Sequence, residues 1–330
     1  MSFSNLDLHS LGIADWGYTE NSEPMTWDHY ENWLDNDGHG PLGYLADHRK
    51  DLRKSLKNYY PEFQSALVFI FPYFDDKKRI EDFYQSTESN DLKMASYLFA
   101  YSGVDYHHAI KEKLLKVKEQ LSETHPNIKM KLSLDTQPVL ERDLAYRAGL
   151  GWFGKNSMFI SKHWGSFFMI GSLLLDEKLD IESKQVETDH CGQCQACIVD
   201  CPTLAINENT RTIEASKCIS TYTIELFKDA PAPKGMESAS GEIFGCDICQ
   251  DVCPWNKRVF RENLTFNKTK ALHPQEELLI NFFLKRPKEE ILKELDTMSN
   301  RSYQKMFRGT PVERTGRLGM IKNIKFWLEK

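Results

Sequence analysis

Eight cysteines, the chain's full complement, all lie between positions 191 and 253. Cys191, Cys194, Cys197 and Cys201, followed by Pro202, spell CxxCxxCxxxCP. This is the run of bacterial two-cluster ferredoxins, in which the fourth cysteine ligates the other cluster. Cys246, Cys249, Cys253 and Pro254 repeat the pattern without its first cysteine, because position 243 is Ile243. Cys218 is left over and brings the count to four per cluster. Crossed in the ferredoxin manner, one cluster takes Cys191, Cys194, Cys197 and Cys253, and the other takes Cys201, Cys218, Cys246 and Cys249.

Structural zinc is the competing reading, because the CxxC pairs at 191/194 and 246/249 suit a tetrahedral thiolate site. A third cysteine at the same step, then Cys-Pro, repeated twice, favours clusters. Disulfides are disfavoured, since nothing marks the chain as secreted. A radical-generating cluster would use CxxxCxxC, and both candidates fail: Cys197 and Cys201 are followed at the required step by Leu204, Cys249 and Cys253 by Asn256. The clusters therefore read as electron carriers, and the substrate chemistry belongs elsewhere.

The 330 residues suffice for two or three compact units, with 41% hydrophobic and 27% charged residues, an ordinary globular composition. The N-terminal residues lack the basic stretch and apolar core of a signal peptide. The apolar run Phe167 to Leu175 is about half of what a membrane-spanning helix needs. A cytoplasmic protein is expected. Net charge is -6, yet Arg301, Lys305, Arg308, Arg314, Arg317, Lys322, Lys325 and Lys330 face only Glu313 and Glu329 in the tail. That tail is either a solvated helix face or a polyanion contact.

The elements that must position any chemistry read as follows. Residues 66–71 are a continuous apolar run ending before Pro72, a buried strand. Tyr106, Ile110, Leu114, Val117 and Leu121 share one face of a helix that ends by Pro126. Ile128, Met130, Leu132 and Leu134 alternate with polar residues as a half-buried strand, leaving Asp135 at its C-terminal end. Thr136, Pro138 and Glu141 mark a helix start, with the stop at Gly149. Phe167 to Leu175 is a further buried strand. Residues 276–283 and 288–295 have helical periodicity. The expected fold is α+β: an α/β-like first domain over 1–178, a two-cluster ferredoxin-like domain over 179–260, and a short, basic helical region over 261–330.

Gly149, Gly151 and Gly154 form a GxGxxG, but it follows a helix rather than a strand, so a dinucleotide fingerprint does not fit. A loop in which backbone approaches a ligand is the better reading. Asp135 is a lone carboxylate whose ordinary use is a helix cap, and whose sharper use is proton chemistry. His107 and His108 are neighbours pointing to different faces, so they are poor joint ligands. Asp37, His39 and Gly43 miss the cobalt-ligating DxHxxG spacing by one, with Leu42 where glycine should be.

Several segments together resemble one family, the epoxyqueuosine reductases. They are Gly103-Val-Asp105-Tyr106-His107, the stretch Asp135-Thr-Gln-Pro138-Val-Leu-Glu141-Arg142 running on through Gly151-Trp-Phe-Gly154-Lys155-Asn156, Cys218-Ile-Ser220 within the split cysteine motif, and Gly245-Cys-Asp247. The resemblance extends from about Gly12 to Asn323. It implies a base-off cobalamin in the first domain, two [4Fe–4S] clusters beside it, and a tRNA bearing epoxyqueuosine at the wobble position, reduced there to queuosine. Carried over, Asp135 matches the proton donor, and Arg49, Arg142, Lys155, Asn156, Ser220 and Asp247 match or adjoin cobalamin contacts. An external ferredoxin or flavodoxin would supply electrons, and a monomer would suffice. Longer members continue into a helical repeat array, so the basic tail here stands as the remnant of that tRNA-binding surface. The rival reading is a cobalamin and iron–sulfur reductase of a small molecule, akin to reductive dehalogenases.

Anaerobically reconstituted protein is expected to hold about eight iron atoms per chain. Four or fewer would overturn the use of Cys218 as a ligand.

Overall fold

In the computed structural model, residues 7–262, 264–266 and 272–330 are described. Ten strands are present among them: β1 Asp15–Thr19, β2 Ser65–Pro72, β3 Lys93–Met94, β4 Met130–Ser133, β5 Trp152–Phe153, β6 Phe159–Ile160, β7 Phe168–Leu175, β8 Ile206–Asn207, β9 Thr212–Ile213 and β10 Glu242–Phe244. The main sheet has the order β1-β2-β7-β4. Every pairing in it is antiparallel. The first domain is thus α+β, without the parallel crossovers of an α/β sheet.

The apolar run at 66–71 is continuous because both faces of β2 are covered. Leu67, Phe69 and Phe71 pack with Ile110, Leu114, Val117 and Leu121 of the helix Tyr106–Thr124. Ala66, Val68 and Ile70 pack on the opposite face with Leu144, Ala145 and Ala148. Helices on both faces thereby fix where the C-terminal edge of β4, and Asp135 just beyond it, must lie.

The helix expected from Thr136 begins later, at Glu141–Arg147. Pro138 explains the delay, since it disfavours helical backbone at Gln137. Buried charge then anchors the helix. Asp143 Oδ1 accepts from Arg147 Nε at 2.6 Å, and its Oδ2 accepts from the Thr26 N–H at 2.8 Å and hydroxyl at 2.7 Å. The two charged side chains are 1% and 2% exposed.

The GxGxxG segment becomes a hairpin. β5 and β6 pair through the 154–158 turn, and Gly151 is required because a Cβ there would sit 2.0 Å from the Ile160 carbonyl oxygen. Further on, Pro274–Leu279 continues into a π turn over Ile280–Leu284, followed by Lys288–Thr297, Asn300–Met306 and Val312–Leu328. Part of the expected third region, residues 263 and 267–271, lies outside the described residues. One buried cluster draws on all three stretches of chain: Leu98 and Phe99, then Ile243 and Phe244, then Phe283, Phe307 and Ile324. β3 and β10 pair in parallel beside that cluster. Among the described residues no helix is long and apolar enough to cross a membrane.

Asp143→Ala would strand the Arg147 guanidinium and two Thr26 donors in the interior. A loss of about 3–5 kcal/mol is expected from chemical denaturation, whereas a loss below about 1 kcal/mol would show that the pair is not held as described.

Candidate active site

Asp135 follows β4 with φ 41°, a left-handed conformation that costs a non-glycine residue of order 1–3 kcal/mol unless its surroundings impose it. They do. The Leu134 N–H donates to Gln137 Oε1 at 2.6 Å, and the Asp135 N–H donates to the Glu141 carboxyl. Asp135 does not cap the following helix, whose N-cap position is Leu140.

The side chain of Asp135 instead gathers the start of the helix Tyr106–Thr124. Asp105 caps that helix, accepting the His107 N–H at 2.9 Å. His107 Nδ1 lies 2.6 Å from Asp105 Oδ1, and its Nε2 lies 3.3 Å from Asp135 Oδ2. The Tyr106 hydroxyl donates to the same Asp135 oxygen. The Tyr106 and His107 rings stack with centroids 4.0 Å apart. Adjacent residues thus converge on one carboxylate, an outcome that helical spacing alone does not suggest. The available sequence signal was the Asp105 cap, which puts both residues in a first turn.

The electrostatics divide the protons unequally. Burial pushes Asp135 upward, but the bonds from His107 and Tyr106, with the His107 and Arg314 charges, hold it below its ordinary 3.8. Burial pushes His107 downward, yet its bonds to Asp105 and Asp135 carry it up to about 9. Burial, then the charge of Asp135, drives Glu141 well above the usual carboxyl range. Tyr106 is raised by the same two causes. At neutral pH the site holds an ionised Asp135 beside a protonated His107, with Glu141 a carboxyl whose ionisation burial and the Asp135 charge oppose.

Asp135 is 49% exposed, yet burial is still the largest single influence on it. The same holds for Arg142 on the exposed side and Glu141 beside it. These groups reach the surface with protein packed closely around them. Arg142 donates to the Ser157 carbonyl. From the C-terminal helix, Arg314 pairs with Glu225 at 2.8 Å and feels Tyr44 and Asp135. Arg49 lies to one side, held by Asp47 through contacts of 2.6 Å and 3.0 Å, with its guanidinium 5.3 Å from the Tyr44 ring centre. His39 packs against Trp33 with ring centres 6.2 Å apart.

Beyond Ser157 the hairpin turn leads to the cysteines. Lys155 and Asn156 are buried, and Asn156 Nδ2 donates to the Cys249 carbonyl at 3.1 Å. Asp247 Oδ2 accepts from the Ser96 N–H at 2.8 Å and from Lys77 at 3.3 Å. The Ser220 and Thr221 N–H groups bond Cys218. Burial raises Cys197 to about 11, with Cys253, Cys191 and Cys194 adding to the rise. Burial likewise raises Cys249, which feels Cys218, Cys197 and Cys201, and Cys246, which feels Cys249 and Cys218. Among the described residues no three His, Cys, Asp or Glu side chains close on one point as a single ion requires. A cluster makes no such demand, because each cysteine binds a separate iron of the cube.

Folding raises the His107 pKa from 6.5 to about 9, so its stabilising contribution is whole below pH 6.5 and is lost as pH rises through about 9. Asp135 is shifted downward, so its contribution is present above pH 3.8 and is lost as pH falls through its folded value. In urea titrations across pH, His107→Gln is expected to flatten the decline between pH 6.5 and about 9. An undiminished decline would mean that His107 is not held between two carboxylates.

Comparison with known proteins agrees with this layout. Residues 190–256 match the 4Fe-4S double cluster binding domain, and residues 53–136 match the family described as epoxyqueuosine reductase QueG, DUF1730. The epoxyqueuosine reductase of Cyclobacterium marinum is 36% identical over 98% of this chain and 93% of its own length. The structure of the Streptococcus thermophilus epoxyqueuosine reductase superposes with a TM-score of 0.70 at 23% identity, covering 96% of this chain and 77% of that one. An epoxyqueuosine reductase structure with an epoxyqueuosine-modified tRNA-Tyr stem loop gives a TM-score of 0.68 at 24% identity, over 96% of this chain and 77% of that one. These two likenesses show a shared fold. The double-cluster domain establishes iron–sulfur clusters as cofactors, and the extent of the match to the Cyclobacterium marinum protein places the chain in the epoxyqueuosine reductase family of oxidoreductases.

Proposed function

We propose that this chain reduces epoxyqueuosine to queuosine at the wobble position of tRNA, with Asp135 as the proton donor. The convergence of Tyr106, His107 and Glu141 on Asp135, with Arg142 and the Asn156 turn leading from it to the cysteines, carries the reading. Epoxide reduction consumes two electrons and two protons, and the oxygen leaves as water. With Asp135 ionised at rest, the proton for the opening ring comes from protonated His107, whose Nε2 lies 3.3 Å from Asp135 Oδ2, and Asp135 hands it on as the negative charge develops on the epoxide oxygen. Asp105 holds the His107 ring in the orientation that this transfer needs. Burial and the charge of Asp135 favour the protonated form of Glu141 beside the same carboxylate.

Cys191, Cys194, Cys197 and Cys253 would hold one [4Fe–4S] cluster, and Cys201, Cys218, Cys246 and Cys249 the other; the influence of Cys253, Cys191 and Cys194 on Cys197, and of Cys249 and Cys218 on Cys246, supports that division. Base-off cobalamin fits the residues of the site. Arg142 stands at the surface, while the buried Lys155–Asn156 turn and Ser220 lie along the chain toward the cysteines, polar groups suited to a ring fringed with amides. Arg49 and Asp247 would contact it from the positions set by Asp47 and by Lys77. Both ring nitrogens of His107 are engaged with carboxylates, so His107 would serve proton transfer rather than hold the corrin. When bound, the corrin would carry electrons from the clusters to the epoxide. An external ferredoxin or flavodoxin would feed the clusters, and a cytoplasmic monomer suffices.

The tRNA stem loop bound by the related enzyme supports an anionic RNA substrate here. Arg314 is the tail residue that feels the charge of Asp135, so it is well placed to steady RNA at the site. Arg317 and Lys322 serve the fold instead, donating to the Leu295 carbonyl at 2.8 Å and the Tyr222 carbonyl at 2.5 Å.

Nucleoside analysis of tRNA from a deletion strain is expected to show epoxyqueuosine accumulating, and unchanged queuosine would overturn the assignment. Asp135→Asn should keep iron and bound corrin while turnover falls by about a hundredfold or more. Near-normal turnover would leave Asp135 a structural role only.

A further inference from the structure

The second cysteine run lacks a ligand at position 243, and the structure shows what stands there. Ile243 is fully buried, packed with Phe244 in the cluster that includes Phe283 and Ile324. Cys218 must therefore be brought from another loop to a place that chain continuity would normally guarantee. A tight polar knot joins the two segments. The Thr223 hydroxyl donates to the Ile219 carbonyl at 2.8 Å and accepts the Gly245 N–H at 2.9 Å. Asn323, on the helix Val312–Leu328, donates through Nδ2 to the Thr223 carbonyl at 2.8 Å and to the Ile243 carbonyl at 2.7 Å. Thr223 and Asn323 are both 0% exposed.

The same helix grips both segments again on either side. Lys322 Nζ donates to the Tyr222 carbonyl at 2.5 Å, and Trp327 Nε1 donates to the Glu242 carbonyl at 3.0 Å. Every bond lies within five residues of Cys218 or four of Cys246 in the sequence. Those of Thr223 and Asn323 are made in the interior, where an unpaired donor or acceptor is costly and the geometry is correspondingly firm, and those of Lys322 and Trp327 are half-buried. Gly245, at φ 68°, turns the chain directly into Cys246.

We infer that Thr223 and Asn323 are positioning residues for the second iron–sulfur cluster, setting Cys218 in register with Cys246 and Cys249 where the cysteine motif is broken. The inference rests on the ligand grouping proposed above. It makes the C-terminal helix part of the cluster site, in addition to any contact with RNA.

The test is iron content and the electron paramagnetic resonance spectrum of the reduced full-length chain after anaerobic reconstitution, with circular dichroism to verify the fold. Thr223→Val, which keeps the shape and removes the hydroxyl, and Asn323→Leu should each fall from about eight iron atoms to about four, leaving the signal of a single cluster. Thr223→Ser should restore about eight, a rescue that loss of packing alone would not give. Cys218→Ala is the reference. If it falls to about four while Thr223→Val and Asn323→Leu keep about eight with an unchanged spectrum, the positioning role is overturned. If Cys218→Ala itself keeps about eight, the ligand grouping fails, and the positioning role falls with it. Should Asn323→Leu lose its fold, the Thr223→Val and Thr223→Ser pair decides.

Discussion

A lysine ammonium buried beneath three carboxylates joins the sheet domain to the cysteine segment. Lys77, 4% exposed, lies 2.6 Å from Glu81, 3.3 Å from Asp247 and 2.7 Å from Asp251. Burial opposes its charge, but the three acids together raise its pKa, so it remains an ammonium. Burial and the neighbouring Asp247 charge raise Asp251 to about 7 in turn. Lys77 is the member the network cannot lose, since without it the buried Asp247 carboxylate would have no cation beside it, whereas loss of Glu81 or Asp251 would leave the ammonium two acids. Asp247 adjoins Cys246 and also accepts the Ser96 N–H, so the placement of the second cysteine run depends on this contact.

From that junction the site extends in two directions. Toward the cysteines, protein dipoles meet sulfur: the Ser220 and Thr221 N–H groups at Cys218, and the Ala205 N–H 3.4 Å from Cys201 Sγ. Hydrogen bonds to sulfur are among the levers that set a cluster's potential. Toward Asp135, the site holds protons in place. Two carboxyl groups of similar intrinsic acidity are driven apart, Asp135 downward by its bonds and Glu141 upward by burial and by Asp135 itself. Separation of this sort lets one site contain both an acceptor and a donor of protons at one pH.

Local pattern carried much of the architecture. The strand at 66–71, the helix with Ile110, Leu114, Val117 and Leu121 on its inner face, and the strand ending near Phe168–Leu175 all stand where periodicity puts them. The helix after Asp135 was misplaced at its start because Thr136 and Pro138 imitate a helix entry, whereas Gln137 turns its side chain back to the Leu134 N–H. Tyr106 and His107 were missed as partners of Asp135 because helical spacing separates neighbours. Their convergence comes from a capped first turn meeting a loop that is remote in sequence.

The sequence by itself determined the cofactor class and the family, because cysteine spacing and short motifs are covalent facts that survive without coordinates. It also determined the periodic elements, since burial of one or both faces writes itself into residue order. Only the tertiary structure decided the bonds and charges that act on Asp135, that the Arg314 charge reaches it, and that Asn323 ties the Thr223 segment to that of Ile243. Each of these depends on burial and on hydrogen bonds between segments far apart in the chain. Their strength is set by distance and desolvation, and neither quantity exists until the chain has folded.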